Sequence, residues 1–459
     1  MQTNDFSNLP TSWQIKTLGE IFLIERGGSP RPIKNFLTND ENGINWIKIG
    51  DTKNVSKYIY STAEKIKPEG KKHSRFVEIG DLILSNSMSF GRPYIMKTIG
   101  CIHDGWVVFR NTKKLIDEEY AYYALISNQI YAEFSKLATG STVKNLSIDR
   151  IKQVAIPLPP LEIQKRIVAR LESAFEKIEK GSAHLQNAKT KLAKYKQSLL
   201  KSAFDGTLTA TASLRGVEKA ETIHTAVSLR ASEASVAIHE SKVDCHDLTS
   251  SKLAMTDKEN PKLPQGWTIK TLGEIAQTTS GGTPSRKKLD YWNGNIKWLK
   301  SGELNDNYIN EVEETITQSG LENSSAKIFS KGTLLIALYG ATIGKLGILN
   351  LETSTNQAVC AIMPNKELET KYLFYFLFSI RNKMIKDAFG GAQSNISQTY
   401  LKQIKIPLPP LETQKQIVKL LEKHLQHADK TGKFIESALN KAKQLKQSLL
   451  KSAFLGKLT

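Results

Sequence analysis

The feature that most constrains this chain is that it is written twice. LPTSWQIKTLGEI, with Trp13, returns as LPQGWTIKTLGEI, with Trp267, an offset of 254 residues. IPLPPLE at 156–162 returns at 406–412, and KQSLLKSAF at 196–204 returns at 446–454, both offset by 250. A repeat at this period describes two bodies on one duplicated frame. Agreement is strong at the start and at the helical end of each half and weak in the middle, so the two bodies have diverged.

The middles still share landmarks. Gly27-Gly28-Ser29-Pro30 answers Gly281-Gly282-Thr283-Pro284, and WIKIGD at 46–51 answers WLKSGE at 298–303. Each half then carries a β-like run after a glycine, GDLILS from Gly80 and GTLLIA from Gly332. A polar, glycine-containing loop follows (NSMSFGRP; LYGATIGK), then an aromatic helix-compatible segment (EEYAYYALIS; KYLFYFLFS). A second polar loop closes each body, ATGSTVKN at 138–145 and GGAQSN at 390–395. This order predicts an α/β (α+β) body of about 150 residues, present in two copies, with strands in the core and variable loops on one side.

The ends of the halves predict long helices. After Pro159 and Pro160, which can open a helix but not sit inside one, no proline appears until Pro261. Leu171, Ile178, Leu185, Leu192 and Leu199 recur every seven residues, with Ile167, Ala174, Gly181, Ala188 and Tyr195 in a companion row. The second copy has Leu421, Ala428, Ile435, Ala442 and Leu449, with Ile417, His424, Thr431, Ala438 and Leu445. Such rows form a coiled-coil seam. Connectivity favours an intramolecular antiparallel pair, giving a pseudo-twofold molecule with one body at each end of a stiff rod. Parallel pairing and a helix dimer between chains are the alternatives. The expected division is 1–155 and 263–405 for the bodies, 156–204 and 406–459 for the spacer helices, and 205–262 for a linker with helix near 214–240.

The partner class is suggested by charge. Over 459 residues the formal net charge is +19, which favours a polyanionic partner over a neutral metabolite. The first long helix carries ten Lys or Arg against four Glu, and Lys189, Lys191, Lys194, Lys196 and Lys201 have no acidic neighbour after Glu179 in that helix. They read either as a solvated face or as phosphate contacts. Base reading requires close backbone approach and paired donors and acceptors, which the diverged loops supply. The candidates in the first body are Arg26, Arg31 and Lys34 around the Gly-Gly turn, then Arg92, Ser141, Thr142, Lys144 and Asn145. Those in the second are Arg286, Lys287 and Lys288, then Tyr339, Thr342, Lys345, Gln393, Ser394 and Asn395.

Signatures of catalysis are missing. GATIGK at 340–345 has three residues between its glycines where a phosphate loop needs four, and Leu346 stands where a magnesium-binding hydroxyl belongs. There is no dinucleotide-binding glycine fingerprint and no Asn/Asp-Pro-Pro-aromatic motif. Asp51, Glu69 and Lys71 mimic a nuclease only loosely. His424 and His427 lack a third metal ligand, and Cys101, Cys245 and Cys360 are too far apart for a disulfide framework or a zinc site. The expectation is therefore a non-catalytic chain with no catalytic or metal residues and no cofactor of its own. The start of the sequence lacks the order of a secretory signal, and the longest strongly apolar stretch, 372–380, is too short to span a bilayer. No membrane is implied and a cytoplasmic location is expected.

With IPLPPLE and its QK continuation opening a long helix twice, KQSLLKSAF closing it twice, and W-x-IKTLGEI opening each half, the sequence resembles the specificity subunit of Type I restriction–modification systems. The resemblance covers nearly all of both halves. It implies two target-recognition domains that each read one part of a split, asymmetric target in double-stranded DNA, separated by a helical spacer. It also implies docking of two modification (methyltransferase) subunits, which bind S-adenosylmethionine, and of restriction subunits, which use ATP with magnesium. A protein-binding coiled-coil scaffold and a stand-alone DNA-modifying enzyme are the rival readings.

Overall fold

The computed structural model describes residues 9–53, 55–86, 90–138, 146–209, 263–388 and 395–458. Most of the linker, with its expected helix and Cys245, lies outside them. The chain divides into two compact units, one running to Gln186 and resuming at Ser437, the other Asn187–Glu436. Each unit thus combines one body with segments of both long helices, Leu161–Phe204 and Leu411–Phe454. The helices begin five residues later than the expected spacer boundaries, because 156–158 and 406–408 are strand.

That strand explains the duplicated motifs. In the first unit Gln14–Thr17 pairs antiparallel with Ala155–Leu158, Gln14 opposite Leu158 and Thr17 opposite Ala155. In the second, Thr268–Thr271 pairs with Lys405–Leu408 in the same register. The TLGE that follows is a capping box: the Thr17 hydroxyl accepts from the Glu20 amide while Glu20 accepts from the Thr17 amide, and Thr271 and Glu274 repeat it. The motif opening each half is therefore the partner of the motif leading into each helix.

The first body contains two five-stranded sheets. One has the order Leu37–Thr38, Glu64–Ile66, Ile44–Ile47, Gly100–Ile102, Arg75–Val77; the other has Leu23–Arg26, Trp106–Arg110, Leu82–Ser85, Pro93–Met96, Tyr58–Ile59. The second body has a five-stranded sheet, Thr278–Ser280, Val359–Ile362, Leu334–Ala337, Leu346–Leu349, Asn307–Ile309, and a four-stranded one, Glu314–Ile316, Trp292–Leu299, Thr353–Thr355, Ile328–Phe329. The runs read as strands after Gly80 and Gly332 are central and wholly buried. The aromatic segments are helices, Glu118–Leu125 and Thr370–Ala388.

Each core closes on a KSAF end. Phe454 meets the Tyr120 ring edge-on at 5.3 Å, and Phe204 meets Tyr372 and Phe376 in the same way. Tyr120 and Tyr372, whose phenols burial pushes well above their usual pKa, donate to the carbonyls of Pro157 and Pro407. Gln164, fully buried, accepts from the Asp117 amide and donates to the carbonyls of Pro159 and Leu115. Gln414 makes the same three bonds to Glu369, Pro409 and Glu367.

Within each unit the helix segments run antiparallel. In the first, Lys446 pairs with Glu179 at 2.8 Å, and Arg170 donates to the Leu458 carbonyl. In the second, Lys189 pairs with Glu436 at 2.9 Å and Lys196 with Asp429. Of the seam residues, Leu171, Leu199, Leu421, Ala428 and Ile435 are buried, whereas Ile178, Leu185, Leu192, Ala442 and Leu449 are half-buried. In the companion rows Ile167, Ile417 and His424 are buried, but Gly181 and Leu445 are exposed. Packing is open at Gly181, where an added Cβ would meet nothing within 4 Å. Among the described residues no helix is long and apolar enough to cross a membrane.

Candidate nucleic-acid interface

The variable loops of each body are tied together by backbone hydrogen bonds. In the first, the amides of Gly27 and Gly28 donate to the carbonyls of Trp106 and Ile102, the Asn86 amide to Gly105, and the Leu146 amide to Asn86. In the second, Gly281 and Gly282 donate to Val359 and Thr355, Leu338 to Ala358, and Ile396 to Leu338. The same four bonds recur at matching positions. They gather the Gly-Gly turn, the start of the first polar loop, the residue that follows the second polar loop and one further turn at one edge of each body. The glycines are structural: a Cβ on Gly27 would lie 2.1 Å from the His103 carbonyl oxygen, and one on Gly281 would lie 2.1 Å from the Thr355 hydroxyl.

The further turns are His103-Asp104-Gly105 and Asn356-Gln357-Ala358, which the sequence reading passed over. Two signals mark them: a polar tip between β runs in each half, and their matching distance from the Gly-Gly turns. The Ser29 hydroxyl donates to Asp104 Oδ1 at 2.7 Å, and the Thr283 hydroxyl donates to Gln357 Oε1. That bond from Ser29 is the main reason the Asp104 carboxyl lies below its usual pKa, while burial holds the His103 imidazole below its own. At neutral pH the tip is a carboxylate beside a neutral imidazole.

The candidates fall into distinct groups. Arg26 donates from Nε to the Asp104 carbonyl at 3.1 Å, and the exposed Arg31 stands 3.7 Å from the Asp104 carboxylate, so both join the turn. Lys34 is exposed and without an ion pair among the described residues, as is Arg92, whose backbone is fixed to Ser85 at the mouth of the first polar loop. Ser141, Thr142, Lys144 and Asn145 lie outside the described residues, as do Gln393 and Ser394. Asn395 is exposed beside Ile396. Lys287 is exposed, whereas Lys288 bonds the Tyr291 hydroxyl at 2.9 Å. Arg286, in a turn, lies 3.6 Å over the Trp292 ring and pairs with Glu314 at 2.7 Å, so it ties the turn to the adjacent strands Trp292–Leu299 and Glu314–Ile316. Tyr339 and Thr342 are half-buried in the loop. Lys345 is held by Asp306 at 2.9 Å, and Arg381 binds the same carboxylate.

The helical lysines also divide. Lys189 and Lys196 are taken up by acidic residues of the other helix, which a count along one helix cannot reveal; Lys191, Lys194 and Lys201 remain exposed. Of the loosely nuclease-like set, Asp51 accepts from the amides of Lys48 and Ala63, as Glu303 does from Lys300 and Glu313. The acidic residue of WIKIGD and WLKSGE thus holds a turn. Lys71 lies 3.8 Å over the Phe76 ring.

Residues 10–186 and 264–440 match the model of the Type I restriction modification DNA specificity domain. Among curated proteins, the HindI specificity subunit of Haemophilus influenzae is 23% identical over 93% of this chain and 97% of that one. The MjaIX specificity subunit of Methanocaldococcus jannaschii is 33% identical over 165 residues, 35% of this chain; that alignment spans 38% of its own length. Among solved structures, the HsdS subunit of Thermoanaerobacter tengcongensis is 20% identical, with 98% of each chain covered and a TM-score of 0.59. A chain from a study of complex assembly and conformational transition of the type I R-M system gives 0.71 at 20% identity, covering 98% of this chain and 99% of that one.

Proposed function

Because the chain belongs to the Type I restriction modification DNA specificity family, we propose that its two bodies each read one half of a bipartite, asymmetric DNA target and that the chain confers this specificity on a restriction–modification complex. The observation that carries the reading is the recurrence of one hydrogen-bonded loop frame in both units with different side chains at its tips. A frame that is kept while its tips change suits two readers of different sequence. Phosphate contacts from Arg92, Lys34, Lys287 and the exposed helical lysines supply affinity without sequence information.

In this reading the long helices form one antiparallel coiled coil with pseudo-twofold symmetry. Forty-four residues at about 1.5 Å each give a spacer of roughly 66 Å, so the distance between half-targets becomes a geometric variable. The antiparallel ion pairs within each unit support it. The helices also dock two modification subunits, and restriction subunits complete the assembly. Methyl transfer from S-adenosylmethionine and ATP-driven cleavage belong to those partners, and this chain is non-catalytic. It positions the complex, while the partner extrudes the base to be methylated.

The test is exchange of residues 1–155 for the first body of another family member, with methylome sequencing of cells carrying the whole system. One half of the methylated site should change. Change in both halves, or in neither, overturns independent reading.

A further inference from the structure

We propose that Asp104 in the first body and Gln357 in the second are base-reading residues, each held in its reading pose by the hydroxyl at the third position of the Gly-Gly-Ser/Thr-Pro turn. The inference rests on the two bodies reading DNA, and it names where one base in each half-target is discriminated.

Three observations carry it. First, both residues occupy the tip of a turn bonded into the gathered loops, with Gln357 exposed and Asp104 about half exposed. Second, each accepts a hydrogen bond from a rigidly placed hydroxyl, Ser29 or Thr283, across some 75 residues of sequence. The Gly-Gly pair that precedes the hydroxyl is bonded through both amides to neighbouring carbonyls and leaves no room for a side chain at Gly27 or Gly281, so the clamp is anchored in backbone. Third, the hydroxyl is preserved between the halves while the clamped group changes from carboxylate to carboxamide. A bond that merely stabilised the turn would favour the same partner in both copies. A bond that aims a reading group lets that group change with the base to be read.

The chemistry differs accordingly. Asp104 offers acceptors only, which suits the exocyclic amino group of cytosine or adenine in the major groove. Arg31 and Arg26, beside it, reduce repulsion between this carboxylate and the phosphates. With Oε1 of Gln357 turned to Thr283, the amide NH2 is directed as a donor and one acceptor lone pair remains. That pairing suits adenine, which presents an acceptor beside an amino group.

The full chain, co-expressed with its modification subunits, carries Asp104→Asn, Gln357→Glu, Ser29→Ala or Thr283→Val, and the methylome is sequenced. Asp104→Asn should alter the base accepted at one position of the half-target that moves with residues 1–155. Gln357→Glu should alter one position of the other half. Removal of either hydroxyl should leave the half-target recognisable but reduce discrimination at that same position, by about tenfold. An unchanged site in Asp104→Asn and Gln357→Glu at full methylation overturns the proposal. So does a uniform loss of methylation, with no change of site, in variants that still assemble with the modification subunits. If one variant fails to assemble, the equivalent substitution in the other body decides. Failure of the wild-type body exchange to shift either half-target would instead strike the underlying reading, which separates the two.

Discussion

Replacing Gln164 by leucine removes a side chain of nearly the same size and leaves three backbone groups without their partner. Its amide bonds the Asp117 N–H at 2.7 Å, the Pro159 carbonyl at 2.8 Å and the Leu115 carbonyl at 3.3 Å. The bond to Pro159 is buried, so that carbonyl loses its partner with no water to replace it, at about 1–3 kcal/mol. The other two are partly buried and can be resolvated, at about 0.5–1 kcal/mol each, and burying leucine instead of an amide returns up to about 1 kcal/mol. The net is about 1–5 kcal/mol, equivalent to roughly 5- to 5,000-fold in the opening equilibrium. Hydrogen exchange followed by mass spectrometry reads this directly. Peptides from 115–125 should exchange faster by that factor, while peptides from 367–377, held by Gln414, serve as the internal control. Gln164→Glu should be worse than leucine at neutral pH, since a buried carboxylate would face two carbonyl oxygens. Acidification should partly rescue it, because the protonated acid can donate to Pro159. A loss below about 1 kcal/mol for leucine, or equal effects of leucine and glutamate at neutral pH, would refute the assignment of Gln164 as the joint between body and helix.

Lys57 sits among the rings of Tyr58, Tyr122 and Tyr123 and bonds Glu119 and Glu172; burial opposes its charge, but the carboxylates outweigh it and raise its pKa. Lys57→Met should cost about 3 kcal/mol in urea unfolding. The wild-type contribution is full below the ordinary lysine value of about 10.4 and is lost only as pH rises through the raised one. Asp306 is pushed up by burial and pulled down further by Arg381, the Leu346 amide and Lys345, leaving its pKa lowered. Its stabilisation is present above about 3.9 and lost as pH falls through the lowered value, so Asp306→Asn should flatten the acid limb of thermal melts for the second unit. Along the helices, Lys196→Ala should cost less than about 1 kcal/mol, whereas Ile435→Ala should cost about 2–5 kcal/mol. Equal losses in denaturant titrations would contradict a seam held by its apolar rows.

The strand runs, the aromatic helices and the long helices were legible because each is a local pattern: a continuous apolar run after a glycine, an aromatic run, or a seven-residue repeat. Partners were not. Nothing near Thr17 announces that its strand pairs with Ala155, because the sign of a pairing lies on a segment far along the chain. The heptad rows located a buried face without saying that Phe454 closes the core around Tyr120. The loop candidates met the same limit: Lys345 and Arg286 have the right chemistry for DNA, but their charges are committed to Asp306 and Glu314, found only in three dimensions. Conversely, nothing local marks Asp104, because the Ser29 hydroxyl that holds it lies 75 residues away.

The make-up of the first unit sets an order of events during synthesis. Its core includes Leu450, Ala453 and Phe454, which leave the ribosome after the whole of Asn187–Glu436. At 5–20 residues per second, those 250 residues take roughly 12–50 s. Throughout that delay the earliest-made body must wait with the apolar surface around Tyr120 bare, while the later one, continuous in sequence, can finish first. The nascent chain is therefore most prone to aggregate at its oldest part.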